Sequence, residues 1–441
     1  MKFETLEAGL KWLESQHNNE SKRFNEKIKV AMDFFNNPHE TFPIIHVTGT
    51  NGKGSVTSYL RDLLMSQGLT VGTFTSPHIE RINERIAVNG QPISDEDLLA
   101  IIEKMYDVNE YLSTTEYGRL VFFENYTVMM ALYFQQVQPD IVVVEVGIGG
   151  LHDSTNIMDG EVAVITTVGI DHADRLGNTF EEVAYQKAGI IKPGAIAVVG
   201  DVPSEALSVI KQFSNEQDAT LRVYHEDFDA IDIQVNPGEG AEYTYQFGGQ
   251  AWRDWKISML GAYQVDNSAV ALTAFYEWMQ QHQRAINWDA ARQALSQTHW
   301  IGRMERVHQM PLIYIDGAHN VQGLEAVKQL IEENFSDKHI HVLYAGLERK
   351  NQEAQLEILR QFSSEEVDLT TFDHFEAMSL EQFDALIKSH HLPREQFHLV
   401  ADWRQLIQQF FTENKQDSLL LITGSLYFIS AVRKFILETL N

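Results

Sequence analysis

Residues Thr48-Gly49-Thr50-Asn51-Gly52-Lys53-Gly54-Ser55 have the composition of a loop that cradles phosphate. Glycines let successive backbone N–H groups turn inward toward phosphate oxygens. The apolar run 43–47 (PIIHV) reads as a buried strand before the loop, and residues 55–66 read as a helix after it. A helix N-terminus there adds positive potential, and Lys53 can reach the outer phosphates. The spacing departs from the standard GxxxxGK[ST]. The first glycine of that pattern would fall at Val47, and Gly54 follows Lys53, leaving the shorter GxxGKGS. Nucleotide binding is the expected chemistry, with Gly49, Thr50, Asn51, Gly52, Lys53, Gly54 and Ser55 as contacts.

Such a loop works with Mg2+ held by oxygen donors. Ser55 is one candidate, and better ones fall at the ends of expected strands. Ser76, in Ser76-Pro77-His78, follows strand 69–74. Glu145 closes the β-branched run 140–146 (DIVVVEV), and Asp171-His172 follows strand 161–168. The carboxyl ends of parallel strands are where folds of this kind bind ligands. On spacing alone, Lys187 is an ordinary lysine near a helix end. A GTPase is the obvious rival, because Asn414-Lys415-Gln416-Asp417 spells the NKxD guanine motif. That motif should follow a strand, and here it precedes one (418–422), so it reads as chance.

These residues need a frame. The first ~40 residues read as helix. Beyond them helices (121–136 and 181–188 among them) alternate with strands, which favours a parallel sheet covered on both faces. Residues 227–258 alternate polar and apolar side chains between Gly-rich breaks and read as a small antiparallel excursion. Helix 263–281 follows, and a second alternating series opens near Trp300. It comprises strands 312–315, 339–345 and 418–422 with helix 321–334 and another after Asn351. The expected organisation is an N-terminal phosphate-loop α/β domain over 1–297 and a C-terminal Rossmann-like α/β domain over 298–441. In the second, Asp316-Gly317-Ala318-His319-Asn320 and Gly424-Ser425 each follow a strand, and a cleft between the two sheet edges could hold both substrates.

Composition narrows the function. The 441 residues include no cysteine, which removes disulfides, thiolate nucleophiles and cysteine metal sites. The 34 basic and 62 acidic residues give a net charge of −28, a surface that repels nucleic acid and anionic membranes. The charged start lacks the apolar core of a signal peptide, and no apolar run is long enough to span a bilayer. The expectation is therefore a cytoplasmic protein, monomeric, with neither nucleic acid nor membrane as partner.

Nine motifs in order carry a family likeness: GTNGKGS, TSPH (75–78) with NERI (83–86), FFE (122–124), EVGIGG (145–150), DSTN (153–156), DH (171–172), KAGIIKPG (187–194), DGAHN (316–320) and TGSLY (423–427). Over about residues 45–430 the chain resembles the folylpolyglutamate synthases and dihydrofolate synthases of the Mur ligase superfamily. The resemblance implies an ATP-dependent ligase. A folate-type carboxylate attacks the γ-phosphate of ATP, and the amine of L-glutamate then attacks the acyl phosphate. It implies that Lys53 and the loop amides hold the phosphates, that Ser76, Glu145 and His172 hold Mg2+, and that Lys187 is carbamylated. It also implies that Asn267, Arg303 and Asp316 contact ATP, and that His319 and Ser425, with Arg81, bind substrate.

Four places depart from the family. Leu151 stands for an arginine after the double glycine, and Tyr263 for the histidine of GxHQ. Ile301 stands for the proline of PGR, and Arg349-Lys350-Asn351 for an acidic DKD. These bear on the acceptor and on nucleotide affinity. The readings kept open are folylpolyglutamate synthase, dihydrofolate synthase with dihydropteroate as acceptor, a wall-building Mur ligase, and a nucleotide-binding pseudoenzyme.

Overall fold

The computed structural model describes residues 2–16, 24–362, 367–413 and 416–440. Asn414 and Lys415 of the NKxD tetrad, and part of the helix expected over the first ~40 residues, lie outside them. The contacts divide the chain into two units. One is Met1–Ile231 with Tyr245–Arg253 and Asp266–Ser296; the other is Asp232–Thr244 with Asp254–Val265 and Gln297–Asn441.

The first unit is built on an eight-stranded sheet. Its strands are β1 (Ile44–Thr48), β2 (Val71–Phe74), β3 (Ile86–Val88), β4 (Gln91–Pro92), β5 (Ile141–Glu145), β6 (Val162–Ile165), β7 (Ile196–Val199) and β8 (Thr220–Val223), in the order β4-β3-β2-β5-β1-β6-β7-β8. From β2 to β8 every pairing is parallel. β1, β2, β5 and β6 are buried along their whole length, as strands covered on both faces must be. Val142 and Val144 of β5 pack into one apolar cluster with the helices Asp95–Ser113 and Phe122–Val137. Ala163 and Ile165 of β6 and Ala197 and Val199 of β7 pack into another with Phe180–Ala188 and Ser204–Glu216. The sheet differs from the expected all-parallel form at one edge, where β3 and β4 run antiparallel. Asn89-Gly90 turns them, with φ of 50° and 73°. Two successive left-handed residues make the two-residue turn that matches strand twist.

β9 (Phe228–Asn236), β10 (Gly240–Phe247) and β11 (Gln250–Ile257) form a separate sheet in the order β11-β10-β9. Loops of two and three residues join them, which only antiparallel neighbours allow. This is the excursion expected over 227–258.

The sheet of the second unit comprises β12 (Glu305–His308), β13 (Leu312–Ile315), β14 (His339–Tyr344), β15 (Val367–Thr370), β16 (Phe397–Val400) and β17 (Ser418–Thr423), ordered β12-β13-β17-β14-β15-β16. Only β12 is antiparallel to its neighbour. β17 lies centrally and is buried throughout. Among the described residues no helix is long and apolar enough to cross a membrane.

Candidate active site

The phosphate loop leaves β1 at Thr48 and enters the helix Lys53–Met65, so Lys53 is the first helical residue. Gly52 caps that helix at φ 86°, in the left-handed region. A Cβ there would lie 2.4 Å from Asn267 Oδ1, so glycine is required by conformation and by space. A Cβ on Gly49 would lie 1.8 Å from Thr166 Oγ1. The loop is braced by the turn after β6. Thr50 N donates to the Thr167 carbonyl at 3.0 Å, Asn51 N to Thr167 Oγ1 at 2.9 Å, and Gly169 N to Thr50 Oγ1 at 2.9 Å. Lys53 Nζ folds back on the carbonyls of Gly49 (2.9 Å) and Thr50 (3.3 Å). Two residues on, the Ser55 hydroxyl is wholly buried and meets no hydrogen-bond partner among the described residues.

The other expected residues of this unit lie along the same sheet edge. β2 and β5 pair in register Phe74↔Val144, which sets Ser76 beside Glu145. Ser76 N donates to Glu145 Oε2 at 3.4 Å, and Glu145 is buried. His172, at φ 52°, starts the short helix Ala173–Leu176, and its Nε2 lies 4.0 Å from Asp171 Oδ2. Lys187 ends the helix Phe180–Ala188 and is buried. Burial first, then the Lys53 ammonium, push its amine well below the ordinary lysine value, while Asp171 acts the other way. Lys187 therefore feels the charges of both Lys53 and Asp171. Arg81 stands apart at the surface, where its Nη2 donates to Asp95 Oδ1 at 2.7 Å. Among the described residues no three His, Asp or Glu side chains converge to hold a metal unaided.

In the second unit the buried Asp316 follows β13. Its carboxylate accepts from Met304 N and Ala318 N, both at 2.8 Å, and burial raises its pKa against the pull of Arg303. His319 Nδ1 donates to the Gly317 carbonyl at 2.7 Å. Ser425, after β17, opens the helix Leu426–Thr439; its hydroxyl is buried and has no hydrogen-bond partner among the described residues.

Comparison with known proteins decides what this arrangement is. The Mur ligase middle domain matches residues 47–275, and the Mur ligase glutamate ligase domain matches residues 302–426. The dihydrofolate synthase/folylpolyglutamate synthase of Bacillus subtilis is 35% identical over 411 residues, 92% of this chain and 94% of the relative. The chain belongs to the folylpolyglutamate synthase/dihydrofolate synthase family. It is an ATP-dependent amide-forming ligase. The Mycobacterium tuberculosis folylpolyglutamate synthase complexed with ADP superposes with a TM-score of 0.88 at 27% identity, over 98% of each chain. A folylpolyglutamate synthase–AMPPCP–folate complex gives 0.86 at 29% identity, over 98% of this chain and 100% of that one.

Within the folylpolyglutamate synthase/dihydrofolate synthase family, three of the four departures have local structural roles here. Leu151 N donates to the Gln186 carbonyl at 2.6 Å, and the Leu151 side chain fills the space where a Cβ on Gly189 would go. Tyr263 is half-buried; its buried hydroxyl lies within the electrostatic reach of Asp316 and Arg303 and has no hydrogen-bond partner among the described residues. Asn351 caps the helix Gln352–Leu359, accepting from Ala354 N at 3.2 Å. Arg349 pairs with Glu376 at 3.5 Å. Nothing in the structure explains Ile301. Sequence reasoning missed Thr166, Thr167 and Gly169, which brace the phosphate loop. The only available signal was a pair of threonines ending a strand.

Proposed function

We propose that this ligase joins L-glutamate to the carboxylate of a folate through an acyl phosphate. One observation carries the reading. Lys53 rests on the carbonyls of its own phosphate loop, and its charge reaches a buried Lys187 on the same sheet edge. An ammonium so placed faces the charge that develops as a carboxylate oxygen attacks the γ-phosphorus and ADP leaves. The amine of glutamate then attacks the acyl carbon, phosphate departs and the nitrogen loses a proton.

The side chains present suit Mg2+, which favours oxygen donors and keeps waters and phosphate oxygens in its shell. The orphaned Ser55 hydroxyl, Ser76 and the Glu145 carboxylate are such donors, with His172 as a nitrogen ligand. When bound, Mg2+ would neutralise phosphate charge. Lys53 and the amides of Gly49 to Gly54 would position the phosphates, and Asn267, Arg303 and Asp316 the nucleoside. His319 and Ser425 would receive glutamate, with the Ser425 hydroxyl at a helix N-terminus suited to a carboxylate. Arg81 would face the acceptor. Lys187 in its neutral form would add CO2 and release a proton, leaving a carbamate that helps to hold the metal.

The dual name of the Bacillus subtilis relative favours a second acceptor, dihydropteroate. The purified chain, given Mg2+, ATP and glutamate, is expected to release ADP only when a reduced folate or dihydropteroate is present. Turnover with only one of them assigns the acceptor. ATP binding without turnover on either would overturn the folate reading.

A further inference from the structure

The loop from Ser76 to Arg81 contains no regular element, yet it carries Ser76, His78 and Arg81. Such a loop keeps its shape only if its backbone amides are satisfied. Three of them converge on one side chain. Glu84 accepts from Ile79 N at 2.8 Å, Glu80 N at 3.0 Å and Arg81 N at 2.7 Å. Successive amides aimed at one point form an anion-binding concavity, and here the chain fills it with its own carboxylate.

The neighbours of Glu84 anchor the same loop. Asn83 Nδ2 donates to the Ile93 carbonyl and to Asp95 Oδ1 at 2.8 and 2.9 Å. Arg85 Nε donates to His78 Nδ1 at 3.1 Å, and its carbonyl accepts from Thr75 N at 3.0 Å. Ile86 pairs with Phe74 in the sheet. Glu84 is the only one of these whose side chain gathers the amides of residues 79–81.

We propose that Glu84 is a positioning residue for the ligase reaction: its carboxylate fills the amide nest of residues 79–81 and so holds the Ile79–Arg81 stretch in the shape that receives the acceptor, while Ser76 is held separately through its own bond to Glu145. The proposal rests on the folate-ligase reading for its kinetic arm alone. An ordinary structural cap would affect all kinetic constants through stability; a loop that positions one substrate affects that substrate's KM first.

The test compares wild type, Glu84→Ala and Glu84→Gln. Glu84→Ala is expected to raise the KM for the folate acceptor tenfold or more, with the KM for ATP within twofold of wild type. Glu84→Gln keeps one acceptor oxygen and should fall between. Sodium formate, small enough to enter the vacated nest, should lower the acceptor KM of Glu84→Ala and leave Glu84→Gln unchanged. An acceptor KM within twofold of wild type in Glu84→Ala overturns the proposal, as does an equal rise in both KM values. Amide hydrogen exchange of residues 79–81 reads the nest without turnover. Protection should be lost in Glu84→Ala and restored by formate; retained protection refutes the nest. If the wild type turns over no pterin acceptor, the folate reading fails while the exchange experiment still decides the nest.

Discussion

A lysine that is wholly buried and lies near a second ammonium is a poor cation. Lys187 is in that position: burial and Lys53 both disfavour its protonated form, and Asp171 compensates in part. A neutral amine is the form that adds CO2, so the environment that makes Lys187 unfavourable as an ion fits the carbamylation proposed for it. Protein equilibrated with carbon-13 bicarbonate should show a carbamate resonance by NMR that is missing from Lys187→Ala. A wild-type spectrum without that resonance would remove the carbamate from the mechanism. At the same scale, Asp266 is held at an uncommon pKa. Burial, then the nearby Asp201 and Asp229 carboxylates, push it up to about 6, against the hydrogen bond from Tyr224 and the charge of His225. Its pKa is higher folded than unfolded, so the fold binds its proton more tightly. Its contribution to stability is fully present at low pH and is lost as pH rises from the unfolded value through about 6. Asp266→Asn should therefore be more stable than wild type at pH 8 by about 1–2 kcal/mol, discounted for partial exposure, with the gain vanishing near pH 4. Denaturant titrations at the two pH values check this, and a pH-independent difference would assign the shift elsewhere.

At the scale of elements, the loops on both sheet edges are folded around carboxylates. Glu84 gathers residues 79–81, and Asp153 accepts from Ile148 N and Thr155 N, both at 3.0 Å. Glu182 accepts from Asn178 N at 2.7 Å ahead of the helix that ends in Lys187, and Asp316 gathers Met304 N and Ala318 N. Of these, only Glu182 shows as a pattern in the sequence, through the capping-box spacing Thr179-x-x-Glu182. Periodicity reports burial along one element, which is why β1, β5, β13 and the helix Val321–Asn334 were legible from their apolar spacing. The strand–turn–helix setting of residues 48–55 was legible because glycines mark such a turn. Its bracing was not, because Asn51 and Thr167 meet only through the pairing of β1 with β6, a register no local window contains. The same limit applied to Lys187. Its spacing described an ordinary lysine; only the family resemblance gave it a role, and only the fold shows its burial beside Lys53. The β3–β4 edge did carry a local signal, the Asn89-Gly90 dipeptide.

The whole molecule carries a net charge of −28, and the ATP that such a ligase uses is an anion. These facts oppose each other at long range, because a strongly negative surface slows the approach of ATP whatever the loop does at contact. Two distances separate the effects. Surface repulsion reaches out to about the Debye length and is cut back by salt, whereas the contact proposed between Lys53 and phosphate would lie well within it. Raising ionic strength from about 0.01 M to about 0.1 M shortens that length from about 30 Å to about 10 Å. The association rate of a fluorescent MgATP analogue should then rise, by roughly twofold or more, while its dissociation rate changes less. Stopped-flow measurement across that salt range checks the sign. A rate that falls with salt would mean that local positive potential at the phosphate loop, not the global charge, governs capture of the nucleotide.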